Sequence, residues 1–147
     1  RGPTGSGADG TMYEIFEHTA DLGLRVRAPD LPQLLADAGR GLMAMVLENP
    51  EVIQPIVTRE FTIAGSDRVY LLFDWLNELL YLCDHERLIF SQFDVRLDDQ
   101  GLTATAAGEP IDPDRHHLTH EIKAITYHEL KVERDGAGWL AEIIVDI

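Results

Sequence analysis

Apolar residues recur at helical spacing in two stretches of the chain. In the first, Leu31, Leu34, Leu35, Ala38, Leu42, Met45 and Val46 fall three or four apart, which places them on one face of an α-helix. Asp30 precedes the run as a cap, and Gln33 stands three residues on in capping-box position. Gly39 and Gly41 weaken this helix without ending it. The second helix is expected to start at a Ser66 cap and to place Val69, Leu72, Phe73, Leu76, Leu79, Leu80 and Cys83 on one stripe. Tyr70, Leu71, Trp75, Tyr81 and Leu82 spread apolar bulk over its remaining faces, so it is either buried on more than one side or meets a partner. Core packing is the plainer of the two.

Elsewhere the period drops to two. Val57, Arg59, Phe61 and Ile63 alternate with Thr58, Glu60 and Thr62, the pattern of a half-buried strand. Phe93, Val95 and Leu97 alternate in the same way, and the Asp98–Gly101 turn returns the chain into Leu102 to Ala107 as a hairpin. A second hairpin is expected to join Ile122 to Arg134 with Trp139 to Ile147 around Asp135, Gly136, Ala137 and Gly138. In its last strand Trp139, Ala141, Ile143, Val145 and Ile147 share one face, while Asp146 lies on the other beside Ile144. Shorter strands near Tyr13 to Phe16 and Leu24 to Arg27 complete an α+β pattern, a single domain over residues 12–147. It has at least two helices packed on a mostly antiparallel or mixed β-sheet. Residues 1–11, with four glycines and no periodicity, read as a flexible tail or an expression remnant.

Charge narrows the function classes. Twelve basic residues against 26 acidic ones give a formal net charge of −14, without the basic footprint that contacts phosphate backbones. Strong direct nucleic-acid binding is therefore not expected, and work on RNA would go through another protein. An apolar fraction of 45% over 147 residues suffices for a core without disulfides, and the single cysteine, Cys83, can build neither a disulfide framework nor a zinc knuckle. No apolar run approaches the roughly 18 residues of a transmembrane helix. A cytoplasmic monomer without membrane contact is the expectation.

Candidate chemistry sits at the two ends of the folded region. His18, Thr19, Ala20 and Asp21 form a loop between the first two strands, whose carboxylate is a turn residue, a hard oxygen ligand or a general base. At the other end, the α-carboxylate of Ile147 lies beside the Asp146 side chain, and their repulsion calls for solvent, a cation or a basic group. If Asp21 folds against this end, three carboxylates meet, an all-oxygen set suited to Ca²⁺ or Mg²⁺ rather than zinc. The alternative is a frayed, solvated terminus. Arg115, His116, His117 and His120 look like a metal tract, but no cysteine is near and no helical period orders them, so solvated loop histidines are the expectation. Lys123, sharing one strand side with Tyr127 and Glu129, either snorkels or balances nearby acid. Asp74 and Glu78 read as the solvated stripe of the second helix. No phosphate loop, Ser-His-Asp order or cysteine nucleophile appears, so catalysis by this chain alone has little support.

Taken in order, Phe16–Asp21, Asp74–Leu80, Gly108–Glu109, Ile122–His128 and Val145–Ile147 resemble the archease family over nearly all of residues 12–147. The resemblance implies a small α+β protein that is not itself an enzyme. It implies a cofactor protein of the RtcB-family RNA ligase, promoting GTP-dependent guanylylation and multiple turnover in tRNA splicing or RNA repair. It also implies a divalent-metal site, with Ca²⁺ the expected ion and Mg²⁺ or Mn²⁺ as alternatives, on Asp21, Asp146 and the terminal carboxylate of Ile147. His18, Lys123, Arg115 and His116 are its candidate partner contacts. An acidic activator can be steered electrostatically to a basic RNA-binding enzyme. Two other classes stand beside this one: a metal-dependent phosphoester hydrolase or phosphotransferase using Asp21, Asp146 and Lys123, and a chaperone-like binding module built on the apolar second helix.

Overall fold

The first helix is buried on two sides. In the computed structural model, which describes residues 12–18 and 21–147, α1 (Leu31–Val46) packs against β2 (Asp21–Ala28) of one sheet and β4 (Leu88–Asp98) of another. Its glycines make that approach possible. A Cβ on Gly41 would come within 2.5 Å of the Leu24 side chain on β2, and one on Gly39 within 2.9 Å of the Phe93 ring on β4. Leu34, Ala38, Leu42, Met43 and Met45 fill the space between the sheets. Full burial of each leucine contributes roughly 1.5–3 kcal/mol.

Two antiparallel sheets replace the one expected. In the first, β1 (Met12–His18) pairs with β2, β2 with β8 (Gly138–Asp146), and β8 on its other edge with both β6 (Ala124–Ile125) and β7 (Lys131–Asp135). The second runs β3–β5–β4, with β3 at Val57–Ala64 and β5 at Gly101–Pro110. The β4–β5 hairpin turns at Asp98–Gly101 as expected, Asp98 accepting from the Gln100 and Gly101 N–H groups. The strand expected from Ile122 to Arg134 is interrupted. Its two pieces pair with the same edge of β8, but the chain leaves the ladder after Thr126, turns through Glu129 at φ 54° and rejoins at Lys131. Lys123, Tyr127 and Glu129 therefore do not share a strand face. The physical reason is Tyr127, whose ring leaves the sheet to stack on Phe73 at 4.0 Å.

Helix α2 (Arg68–Glu86) is held to α1 by Trp75, fully buried, whose indole N–H donates to the Leu35 carbonyl at 2.8 Å. Leu71 and Trp75 belong to the core with Leu72, Leu76, Leu79, Leu80 and Cys83, so core packing accounts for most of the helix's apolar bulk. Tyr70 and Tyr81 are the exceptions, both 56% exposed. The helix caps correct two expectations. Asp30 caps α1 through the Gln33 N–H, but the Gln33 amide reaches forward to Asp37 at 2.8 Å instead of closing a capping box. Asp67, not Ser66, caps α2, accepting from Val69 and Tyr70 N–H; a carboxylate there also meets the positive end of the helix dipole. The expected tail over residues 1–11 lies outside the described residues. Asp67→Ala is expected to cost about 1 kcal/mol in urea unfolding, and Ser66→Ala less than about 0.5 kcal/mol. Equal losses would return the cap to Ser66.

Candidate functional site

The solvent face of the first sheet carries three rows of side chains, each running across the strands. Strand register defines the first: Glu14 opposes Arg25, Arg25 opposes Glu142, and Glu142 opposes Lys131. Charges alternate along it, with ion pairs of 3.4, 2.5 and 3.7 Å. Two residues along, Phe16, Gly23 and Ile144 stand side by side. The Phe16 ring occupies the space that a Gly23 Cβ would fill, and the Arg25 guanidinium lies 4.6 Å from its centroid. Thr126 closes this row on the far side, its N–H and hydroxyl both donating to the Ile144 carbonyl.

The third row holds the expected metal ligands. His18 pairs with Asp21 on β1 and β2, the β2–β8 register advances one step from Leu22–Val145 to set Asp21 beside Asp146, and Asp146 pairs with Ala124 on β6. Residues opposite one another on antiparallel strands lie about 4.5–5.5 Å apart at Cα and point to the same face. Asp21 and Asp146 are each the residue after the last β2–β8 pair and point to the same outward face, and like charges brought together there would destabilise unless a cation stood between them. In the first row, by contrast, each acid has a basic residue opposite it. Ile147 follows Asp146, its side chain packed on the core. Lys123 joins the group through its backbone, donating its N–H to the Asp146 carbonyl at 2.7 Å, while its side chain is exposed. Thr19, Ala20 and the His18 side chain lie outside the described residues.

Among the described residues no three His, Cys, Asp or Glu side chains converge as a metal cluster. Two carboxylate side chains are therefore what the first sheet presents, and the third donor of the expected set is the Ile147 carboxylate, one position along. All are hard oxygens, a donor set that fits Ca²⁺, Mg²⁺ or Mn²⁺ and does not favour zinc.

Arg115 and His116 are not part of this group. They gather around Glu109 on β5 of the second sheet, and His116 is buried at 2% exposure instead of solvated. Arg115 grips Glu109 with two parallel bonds of 2.9 and 2.8 Å; the Gln54 N–H donates to the same carboxylate at 2.8 Å. His116 Nδ1 accepts from the Asp112 N–H at 2.8 Å, which assigns the ring proton to Nε2, where it donates to Glu109 at 2.9 Å. The cluster ties the loop after β5 to the segment before β3. The Arg115 guanidinium first, then the Gln54 N–H and His116, hold the Glu109 carboxyl down at about 2 against burial that acts to raise it. Of the other histidines, His117 is exposed, as expected, and His120 Nδ1 contacts the Met45 carbonyl at 3.1 Å. Glu109 was the residue missed as a centre. Alternation gave no signal for it, since Leu102, Ala104 and Ala106 point inward and set Glu109 on the other parity; the one hint was a lone acid ending the small-residue run Ala106–Ala107–Gly108.

A small α+β protein with paired carboxylates beside its last strand defines a class, and comparison with known proteins identifies it. The sequence profile of the archease protein family (MTH1598/TM1083) matches residues 13–147. The chain is 38% identical over 139 residues to protein archease of Methanopyrus kandleri, covering 92% of this chain and 99% of that one. It is 37% identical over 141 residues to protein archease of Pyrococcus furiosus, with the same coverage of both chains. The solution structure of Methanobacterium thermoautotrophicum protein 1598 is 34% identical and superposes with a TM-score of 0.81 over 92% of this chain and 98% of that one. The crystal structure of "an archease, possible chaperone" from Thermotoga maritima, 24% identical with a TM-score of 0.65 over 90% and 94% of the two chains, shares the fold. The chain belongs to the archease family.

Glu109 bears on stability. Its folded value of about 2 lies below the ordinary 4.5, so the stabilisation it supplies is complete above pH 4.5 and is lost as pH falls toward 2. Glu109→Gln is expected to lower the urea midpoint at pH 6, where a buried pair that loses one partner costs about 3 kcal/mol, and to flatten the decline in stability between pH 4.5 and 2. An acid limb as steep in the variant as in the parent would refute the assignment.

Proposed function

We propose that the chain is a non-catalytic activator of an RtcB-family RNA ligase, promoting its guanylylation with GTP and its multiple turnover in tRNA splicing or RNA repair. The observation that carries this reading is the β2–β8 register, whose last pair, Leu22–Val145, leaves Asp21 and Asp146 as the next residues on one outward face, in a protein of the archease family. The two carboxylates and the Ile147 terminal carboxylate are the ligands of a divalent cation, Ca²⁺ in the first instance. When bound, the cation neutralises the facing acids and carries hard Lewis acidity to the edge of the sheet. Lys123, hinged on Asp146 by its backbone, supplies a mobile positive charge beside that edge. A net charge of −14 supports a partner that is itself basic and a contact that excludes RNA, so the chain reaches the ligase without competing for its substrate.

The "possible chaperone" wording carried by the Thermotoga relative supplies a second reading, a protein-binding module, and the exposed Tyr70 and Tyr81 on α2 are the observation in its favour. Suppression of aggregation of several unrelated clients would favour it.

Multiple-turnover RNA joining by the cognate ligase, with GTP and divalent metal, is expected to rise when the protein is added at sub-stoichiometric amounts. Asp21→Asn and Asp146→Asn are each expected to abolish the rise while leaving the urea midpoint close to that of the parent. Residues appended after Ile147, which convert its carboxylate into an amide, are expected to act likewise. Ca²⁺ should also raise the thermal midpoint of the parent and not of Asp146→Asn. Undiminished stimulation by both variants would sink the metal-site assignment, and no stimulation of an active cognate ligase would sink the function.

A further inference from the structure

One face of α2 is left to solvent although half of it is aromatic. Tyr70, Asp74, Glu78, Tyr81 and His85 follow one another at spacings of four, four, three and four, and all five are exposed. At 3.6 residues per turn they fall within an arc of about 80° and run about 22 Å along the helix. The face is ordered at both ends. Tyr81 stacks on His85 with ring centroids 4.2 Å apart, and Tyr70 meets Tyr127 edge-on at 5.8 Å. Tyr127, 55% exposed, stacks in turn on Phe73. Desolvation, then Tyr70 and the charge of Asp74, push the Tyr127 phenol above its ordinary value, which places Asp74 within electrostatic reach of the rings.

Charge on this face has one sign. Asp74 and Glu78 lie between the two tyrosines, and Asp84 flanks them. Among the described residues no basic side chain pairs with Asp74 or Glu78. The helix's own arginine is turned elsewhere, Arg68 lying over the Trp139 ring at 4.8 Å. Aromatic rings held rigid by one another, with carboxylates between them, suit a planar cation that can stack and pair at the same time. Arginine does both, whereas lysine offers only a point charge and phosphate is repelled. Tyr127, which packs on this face, follows by two residues the strand β6, whose Ala124 pairs with Asp146.

We infer that the Tyr70–Asp74–Glu78–Tyr81 face of α2 is a docking surface for an arginine-bearing segment of the protein partner. The partner in question is the ligase, so the inference rests on the function proposed above; what it adds is the surface, the chemistry of the occupant and the residues that grip it. Rigid aromatics at such surfaces carry a disproportionate share of binding free energy, and the carboxylates set the encounter rate and its salt dependence.

The test is the affinity of the full chain for the cognate ligase, measured at two salt concentrations. Three proteins are compared: the parent, Tyr70→Ala with Tyr81→Ala, and Asp74→Asn with Glu78→Gln. All four positions are exposed, so the fold should survive, and urea midpoints check that it does. Each pair is expected to weaken binding by about tenfold or more, and the acid pair to reduce the salt dependence as well. In parallel, an arginine-rich peptide is titrated into the labelled chain and compared with a lysine-rich peptide of equal charge. Amide shifts concentrated on Tyr70–His85, larger for arginine and lost in the tyrosine pair, are expected. Binding of both variants within twofold of the parent overturns the inference while leaving the activator reading standing. If the parent does not bind the ligase at all, the activator reading fails, and the peptide titration alone decides the surface: no shifts on α2 overturns it. RNA binding through the same face, lost in the same variants, would overturn it too.

Discussion

A helix pressed between two sheets is the constraint on which the other elements depend. Each antiparallel sheet has one apolar face, and α1 is the element that both apolar faces share. Such a helix is buried over most of its circumference, and it must be narrow where the strands come nearest. Gly39 and Gly41 supply that narrowness on opposite sides, trading about 1 kcal/mol each of helix propensity for contact with Phe93 and Leu24. With α1 in place, the Leu35 carbonyl is where the Trp75 indole needs it, and α2 is docked by a hydrogen bond that no solvent replaces.

The outward face of the first sheet follows from the inward one. Once Leu22, Leu24 and Val26 on β2 and Ala141, Ile143 and Val145 on β8 are committed to the core, pleating commits Asp21, Arg25, Glu142 and Asp146 to the other side. The alternating Glu14–Arg25–Glu142–Lys131 row then guards the register, because a slip of one residue would expose the core face and a slip of two between β2 and β8 would set Arg25 opposite Leu140 or Ile144 instead of Glu142. The same register that satisfies this row fixes Asp21 against Asp146. The paired acids are thus positioned by the packing of residues buried on the far side of the sheet, which allows them to be a poor electrostatic choice for the fold.

Much of this was legible in the sequence, and the limits have physical causes. Period three-to-four and period two located both helices and the principal strands, and alternation alone separated Asp146 from Ile143 and Val145. Two sheets in place of one could not be seen, because strand order depends on non-local pairing and the glycines of α1 read locally as weakness instead of close approach. The break at Thr126–Leu130 was hidden because Tyr127 fits a strand by propensity and leaves it only for a ring on α2. Ser66 and Asp67 are both good caps, and sequence does not rank neighbours. Arg115 and His116 read as solvated because their partner, Glu109, lies in a strand of the second sheet, and a lone acid among alanines and glycine does not announce what it will meet. The start of α1 was legible from Asp30, but the capping box was not, because the Gln33 amide finds Asp37 one turn on.

Glu109 and the Asp21–Asp146 pair show two ways in which an acidic protein disposes of carboxylates. Glu109 is taken out of water and answered in full, by a bidentate guanidinium, a backbone N–H and an imidazole N–H. Nothing about such a group invites a ligand, since every lone pair in reach has a donor, and its removal costs the fold. Asp21 and Asp146 lie one position beyond the Leu22–Val145 pair on the outward face of the first sheet, with His18 and Ala124 as their partners on β1 and β6. On the neighbouring row of that face Glu14 and Glu142 both meet Arg25, and Glu142 meets Lys131 as well. Stability alone would favour replacing one of the two with a basic or neutral residue. Glu109 is therefore bound to the stability of the fold, whereas Asp21 and Asp146, on the outward face of the first sheet, can be changed without touching the core.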